Sequence, residues 1–120
     1  MLNGERKTAR PLRWAMVGGG RLGQVGYKHR CGALRDNTAF ELVAGAFDIV
    51  PDRGREFGVN LGVAAERCYE DYRTLFAQEA LREDGIEVVS VATPNGTHYE
   101  ITRAALQAGL HVICEKPLFF

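Results

Sequence analysis

The chain has 120 residues, of which 46% are hydrophobic and 25% are charged, a composition typical of one globular domain. Its 15 lysine and arginine residues equal its 15 aspartate and glutamate residues, so no net charge draws it to nucleic acid or to an anionic membrane. No apolar run approaches the roughly 20 residues of a membrane helix. The three cysteines form no C-x-x-C pair, and the first residues lack the apolar core of a signal peptide, which predicts a cytoplasmic protein.

The hydrophobic pattern predicts alternating strands and helices after a disordered or frayed tail over residues 1–11. In chain order we expect a strand over 12–20, a helix over 21–34, a strand over 39–47, a helix over 51–58, a short strand around 67–69, a helix over 69–81, a strand over 85–94, a helix over 97–109 and a strand over 110–114. The strands are nearly continuous in apolar residues, as in parallel sheets covered on both faces. Residues 12–120 are therefore predicted to form an α/β, doubly wound parallel sheet of about five strands.

Helix ends carry their own signals. Pro51 suits the first turn of the second helix and Gly58 its end. Thr97 and Glu100 have the spacing of a capping box at the start of the last helix, and Gly109 stands where that helix should end. The final strand, His111 to Cys114, is expected to be buried.

A glycine motif follows the first strand. Gly18, Gly20 and Gly23 form G-x-G-x-x-G, in which the glycines allow a tight turn, close approach of a pyrophosphate and close packing of helix on strand. A plain turn between strand and helix is the alternative. Asp48, at the end of the second strand, is placed to accept hydrogen bonds from the adenosine ribose, or else to cap the helix that starts near Pro51.

The choice between two nicotinamide cofactors stays open at this stage. Asp48 favours NAD, whereas Arg53 or Arg55, just beyond it, could hold the 2'-phosphate of NADP or simply face solvent. The loop after the fourth predicted strand, with Thr93, Pro94 and Asn95, would border the nicotinamide end by its position, or be an ordinary loop into a helix. His98 could equally be a packed or solvated histidine. The dispersed histidines and cysteines predict no metal site.

Longer motifs resemble one family. "GYKHR", "VATPNGTHYE" and "AALQAGLHVICEKP", in this order, are similar to the nucleotide-binding half of the Gfo/Idh/MocA oxidoreductases, a likeness that runs from Leu12 to Pro117. The combination of the E-K-P and T-P-N motifs is more specific to this family than the glycine motif.

The resemblance implies a role for each matching position. It implies a pyrophosphate turn at Gly18, Gly20, Arg21, Leu22 and Gly23, an adenosine ribose at Asp48 with Arg53 nearby, and a nicotinamide ribose bordered by Thr93, Pro94, Asn95, His98, Glu115 and Pro117. Lys116 is implied to be catalytic, because oxidation of an alcohol releases a proton and a cation stabilises the developing alkoxide. The cofactor is then NAD or NADP, with NAD favoured.

In the family a large substrate domain follows the E-K-P motif, and we expect this chain to be truncated before it. The implied function is NAD(P)-dependent dehydrogenase activity on the CH-OH group of a sugar-like or cyclitol substrate, with the chain alone inactive, a weak cofactor binder and prone to self-association. One alternative is a non-catalytic nucleotide-binding or sensing module that works with a partner. Another is an S-adenosylmethionine domain, although E-K-P speaks against it.

Overall fold

The computed structural model describes residues 8–35 and 39–118 of the chain. Its elements in order are β1 (Leu12–Gly18), α1 (Val25–Leu34), β2 (Phe40–Ala46), α2 (Pro51–Asn60), a 3-10 turn (Ala65–Arg67), α3 (Tyr72–Glu79), β3 (Val88–Ala92), a second 3-10 turn (Asn95–Thr97), α4 (His98–Gln107) and β4 (His111–Cys114). The predicted alternation of strands and helices is thus confirmed. Most of the predicted tail, residues 1–7, lies outside the described residues.

The sheet is parallel throughout and has the order β2-β1-β3-β4. The chain moves outward from β1 to β2 and then returns to the other side of β1 to form β3. The order therefore reverses between β1 and β3, and in open α/β sheets a ligand cleft forms at such a point, outside the carboxyl ends of the strands.

The expectation of about five strands was wrong by one within the described residues. The segment around 67–69 makes only an isolated parallel bridge between Cys68 and Gly45, in which the Tyr69 amide donates to the Gly45 carbonyl at 2.8 Å. A 3-10 turn ends directly before it, at Arg67, and the side chains of Arg67 and Tyr69 are both bound by Glu79. These contacts hold the segment beside β2 without a continuous ladder.

Each face of the sheet has its own apolar core, because successive residues of a strand point to opposite faces. On one face Ala15 and Val17 of β1 pack with residues of α3 and α4, among them Leu75 and Ile101. On the other face the larger Trp14 and Met16 belong to a second cluster, against which Ala33 of α1 and Phe57 of α2 pack. The buried members of this cluster are Trp14, Met16, Phe47, Val63, Cys68 and Val88. The helices therefore cover both faces, as a doubly wound sheet requires.

Several helix ends differ from the prediction. Helix α1 begins at Val25 instead of residue 21, and α2 continues past Gly58 to Asn60. Gly58 is a packing residue, since a Cβ there would lie 2.4 Å from the Cys68 sulfur. Gly109 does follow the end of α4, with a φ of 80° that suits glycine.

The capping box was also wrong. The Thr97 hydroxyl lies 2.7 Å from the carbonyl oxygen of Pro94 and makes no cap to the helix, and Glu100 accepts a hydrogen bond from Tyr72 instead. The helix is preceded by a 3-10 turn over Asn95–Thr97.

The final strand is less buried than the sequence suggests. His111 and Ile113 of β4 are exposed, because β4 is an edge strand of the described sheet. No helix in the described ranges is long and apolar enough to cross a membrane. Cys31, Cys68 and Cys114 are free thiols, and Cys31 is exposed.

Candidate functional site

A cleft of about 480 Å³ opens at the carboxyl ends of β1, β2 and β3, where the strand order reverses. Its walls come from the turn after β1, the turn after β2, the chain before α3 and the start of α4. The lining residues are Val17, Gly18, Gly19, Gly20, Leu22, Gly23, Ala46, Phe47, Asp48, Ile49, Arg53, Glu70, Asp71, Tyr72, Ala92, Thr93, Pro94, Thr97, Glu100 and Ile101. Eight residues predicted from the sequence are among them: Gly18, Gly20, Leu22, Gly23, Asp48, Arg53, Thr93 and Pro94.

The glycine turn after β1 leaves no room for side chains. A Cβ on Gly20 would lie 2.3 Å from the Phe47 carbonyl oxygen, and one on Gly26 would lie 2.4 Å from the Gly19 Cα. The sequence motif assigns the close packing of helix on strand to its third glycine, Gly23. In the structure Gly23 precedes α1, whereas Gly26 is buried in its first turn and makes the closer approach. In the sequence Gly26 belongs to the "GYKHR" motif but lies outside G-x-G-x-x-G, so the glycine motif alone does not identify it.

Asp48 and Arg53 form a two-bond ion pair at the end of β2. The guanidinium of Arg53 donates from Nε to Asp48 Oδ2 at 2.5 Å and from Nη2 to Oδ1 at 2.7 Å, and the Val50 amide donates to Oδ1 at 2.9 Å. The Asp48 side chain is only 6% exposed. The Arg53 hydrogen bond holds the pKa of Asp48 below its usual value. Asp48 is not the residue that caps α2, because Val50 occupies that position without a side-chain bond.

The predicted residues in and after the loop that follows β3 lie in three places: on the cleft lining, on the surface outside the cleft and in the interior. Thr93 and Pro94 line the cleft, whereas Asn95 is exposed outside it. His98 is 1% exposed, with Nε2 lying 2.8 Å from the Thr93 carbonyl oxygen and Nδ1 lying 2.7 Å from that of Pro117. His98 therefore joins the loop after β3 to the turn after β4, which is the packed-histidine alternative.

The E-K-P turn after β4 does not line the cleft. Glu115 is bound by His29 of α1, with 2.7 Å between Nε2 and Oε1, and this hydrogen bond lowers the pKa of Glu115. Lys116 is exposed, and the peptide bond from Lys116 to Pro117 is cis. Arg21 is likewise exposed outside the lining. Six predicted site residues lie outside the cleft lining, and their contacts with a cofactor remain predictions: Arg21, Asn95, His98, Glu115, Lys116 and Pro117.

Sequence reasoning missed the wall on the far side of the cleft. Tyr72, at the start of α3, donates a hydrogen bond of 2.7 Å from its hydroxyl to Glu100 of α4. Burial, together with the Glu100 carboxylate, raises the pKa of Tyr72. Ile49 and Ile101 add apolar surface to the same cleft. Nothing in the spacing of these residues brings them together, because Tyr72 and Glu100 lie 28 residues apart and meet only through the crossover to β3.

A glycine turn without room for side chains, an acid after the second strand and a cleft at the switch point together define a nucleotide-binding Rossmann domain. The family comparison agrees: residues 12–120 match the Gfo/Idh/MocA model, described as an oxidoreductase family with an NAD-binding Rossmann fold. The chain therefore belongs to this family.

Known relatives resemble the chain along its whole length. An uncharacterised oxidoreductase, YfiI, of Bacillus subtilis (strain 168) is 78% identical over 120 residues, which are 100% of this chain and 30% of that protein. An inositol dehydrogenase homologue from Azotobacter vinelandii, solved in complex with NAD+, superimposes with a TM-score of 0.96 at 72% identity and covers 100% of this chain and 31% of its own. Its complex with NADH and myo-inositol gives a TM-score of 0.96 at 71% identity, over 99% of this chain and 31% of its own. The chain thus spans less than a third of the length of these relatives.

Proposed function

We propose that the chain binds NAD(H) in the cleft at the switch point. The pyrophosphate would lie against the glycine turn, the adenosine ribose at Asp48 and the nicotinamide end toward Thr93 and Pro94. The observation that carries the proposal is the absence of space at Gly20 of the cleft lining, where even a methyl group would strike the Phe47 carbonyl. Backbone amides at the start of α1 can then meet the phosphate oxygens directly.

The proposed reaction is the dehydrogenation of a CH-OH group in a sugar-like or cyclitol substrate, as the myo-inositol complex of the Azotobacter homologue suggests. A bound nicotinamide accepts a hydride from the carbon that is oxidised. Lys116, exposed after β4, would carry the proton-transfer role, because its ammonium group stabilises negative charge that develops on the substrate oxygen. Glu115, held by His29, would keep the turn that presents Lys116 in one orientation.

We propose NAD in preference to NADP, on the state of Asp48 and Arg53. Arg53 is the cation best placed for a 2'-phosphate, but its Nε and Nη2 both donate to Asp48. A 2'-phosphate would have to break this pair and lie against the Asp48 carboxylate. The ribose hydroxyls of NAD carry no charge and can share the carboxylate oxygens with Arg53.

The test is a calorimetric titration of the purified chain with NAD, NADH, NADP and NADPH. Gly20→Ala should abolish binding, whereas Gly32→Ala, at a glycine with no atom within 4 Å of the added methyl, should leave it intact. Circular dichroism of both variants checks that they fold. Asp48→Ala, which frees Arg53, should weaken NAD and improve NADP. A folded wild-type chain that binds none of the four nucleotides would refute the proposal.

Substrate turnover forms a separate part of the proposal. We expect no oxidation of myo-inositol by the 120-residue chain tested alone with NAD, because it covers only 31% of the Azotobacter homologue that was solved with myo-inositol. The measurement is the absorbance of NADH during incubation with the polyol. Steady NADH production that is lost in Lys116→Ala would contradict this expectation and would place a complete active site in the chain.

A further inference from the structure

The adenosine end of the cleft holds an apolar surface that the proposed function does not yet explain. Ile49, the residue after Asp48, is 93% exposed, whereas Ile101 on the opposite wall is buried. The bridge between Gly45 and Cys68 brings the chain before α3 alongside the end of β2, and Tyr72, at the start of α3, also lines the cleft. An exposed isoleucine and an aromatic side chain on the lining of one cleft suit a flat apolar ring.

A polar group with a free acceptor lies at the edge of this surface. Glu100 Oε1 accepts the Tyr72 hydroxyl at 2.7 Å and is 3.5 Å from Arg73 Nη2. Within the described residues, no donor makes a hydrogen bond to Oε2 of Glu100, and Glu100 lines the cleft. The bond to Tyr72 restrains the carboxylate at the wall and leaves one oxygen available to a donor that enters the cleft.

We propose that Glu100, held by Tyr72, accepts a hydrogen bond from the exocyclic amino group of the adenine ring, so that the chain distinguishes adenine from hypoxanthine in its dinucleotide. The inference rests on the proposed binding of NAD in this cleft. Adenine presents an amino donor at the position where hypoxanthine presents a carbonyl oxygen. A carboxylate attracts the donor and repels the carbonyl, so a single acceptor can discriminate between the two bases.

Besides Asp48, which is paired with Arg53, two other acids line the cleft, and the contacts favour Glu100 over both. Asp71 already accepts the Thr74 amide at 2.7 Å as the cap of α3. Glu70 and Glu100 are both exposed, but no hydrogen bond to a described residue fixes the Glu70 side chain, so it would lose rotamer freedom on binding a base. Glu100 alone of these three is restrained by a side-chain hydroxyl, that of Tyr72.

The experiment compares NAD with nicotinamide hypoxanthine dinucleotide by calorimetry on the 120-residue chain. A charge-assisted hydrogen bond at a partly exposed site predicts that the wild type binds NAD about tenfold more tightly than the hypoxanthine analogue. Glu100→Gln should remove most of this preference, because an amide can donate to the carbonyl of hypoxanthine as well as accept from adenine. Tyr72→Phe should reduce the preference without abolishing NAD binding.

Glu70→Gln is the matched control, since it makes the same carboxylate-to-amide change in the same cleft. It should keep the wild-type ratio of the two dissociation constants. An equal affinity of the wild type for both dinucleotides, or a ratio that Glu100→Gln leaves unchanged, would overturn the inference while the proposed function stands. A loss of the preference in Glu70→Gln alone would transfer the contact to Glu70 and overturn the assignment. A folded wild type that binds neither dinucleotide would refute the proposed function itself.

Discussion

A buried ion pair anchors the chain segment that leads into the far wall of the cleft. Glu79 has a side chain 1% exposed, and that of Arg67 is 9% exposed. Arg67 donates to Glu79 from Nη2 at 2.6 Å and from Nε at 3.1 Å, while the Tyr69 hydroxyl donates at 2.6 Å and the Ile86 amide at 3.2 Å. One carboxylate thus joins the 3-10 turn, the end of α3 and the approach to β3.

Glu79→Gln keeps the shape of this side chain and removes its charge. Arg67 then remains buried without its main counterion, and breaking a buried pair in this way costs on the order of 3 kcal/mol of unfolding free energy. For a domain of this size, urea unfolds the chain with a slope of about 2 kcal/mol per molar, so the midpoint should fall by about 1.5 M. Tyr69 also loses a charged acceptor, so the free energy of unfolding should fall by at least as much as when an exposed ion pair is broken.

The assay is urea unfolding followed by the fluorescence of Trp14, which is fully buried in the core. Glu83→Gln, an exposed position four residues further along, is the control and should change the free energy of unfolding by less than about 0.5 kcal/mol. Replacing Arg67 by Met together with Glu79→Gln should cost less than the two single changes summed, because no unpaired charge remains. A loss below about 1 kcal/mol in Glu79→Gln would refute the reasoning.

Three further predictions concern other contacts. Arg10 lowers the pKa of Glu87 from 4.5 to about 2, so this pair stabilises the fold above pH 4.5 and its contribution is lost as the pH falls toward 2; urea midpoints of wild type and Glu87→Gln should converge in acid, and a constant gap would contradict this. His98→Ala removes the buried imidazole whose ring nitrogens lie within hydrogen-bond distance of two carbonyl oxygens and should lower the unfolding free energy by about 3 kcal/mol, whereas an unchanged thermal midpoint would show that solvent replaces the contacts. Burial, with the Glu79 hydrogen bond, raises the pKa of Tyr69 to about 12, so a spectrophotometric titration should find one tyrosine that ionises later than in Glu79→Gln; no difference would exclude the effect.

The fold was largely predictable because its signals are local. Strand and helix periods, the glycine turn and Gly109 after α4 each depend on neighbours in sequence, and the structure agrees with them. The predicted short strand around 67–69 was wrong because the side chain of Arg67 and the hydroxyl of Tyr69 bind Glu79, 12 and 10 residues away. Contacts over such distances leave no periodic pattern in the sequence. The capping box failed for the same reason, since Glu100 is taken by a tyrosine 28 residues earlier.

In the site, too, the sequence identifies individual residues but not the partners that they contact in the fold. The sequence predicts Asp48 and Glu115 as the acids that face the two riboses, but it does not predict that each has a basic partner. Asp48 is bound by Arg53 from α2, five residues away, and Glu115 by His29 from α1, 86 residues away. Both basic partners come from the helices on one face of the sheet.

These pairs matter because the proposed ligand carries a negatively charged pyrophosphate between its two riboses. A bare Asp48 carboxylate on the cleft lining would repel it, because charges within the screening length of about 8 Å in physiological salt still act on each other. With Arg53 in place, Asp48 still offers acceptors to ribose hydroxyls while much of its charge is compensated. Removing the Arg53 cation should therefore weaken NAD more than it weakens adenosine, which has the same ribose without phosphates. Calorimetry of Arg53→Gln with both ligands measures this difference, and equal losses for the two would show that Arg53 only orients Asp48.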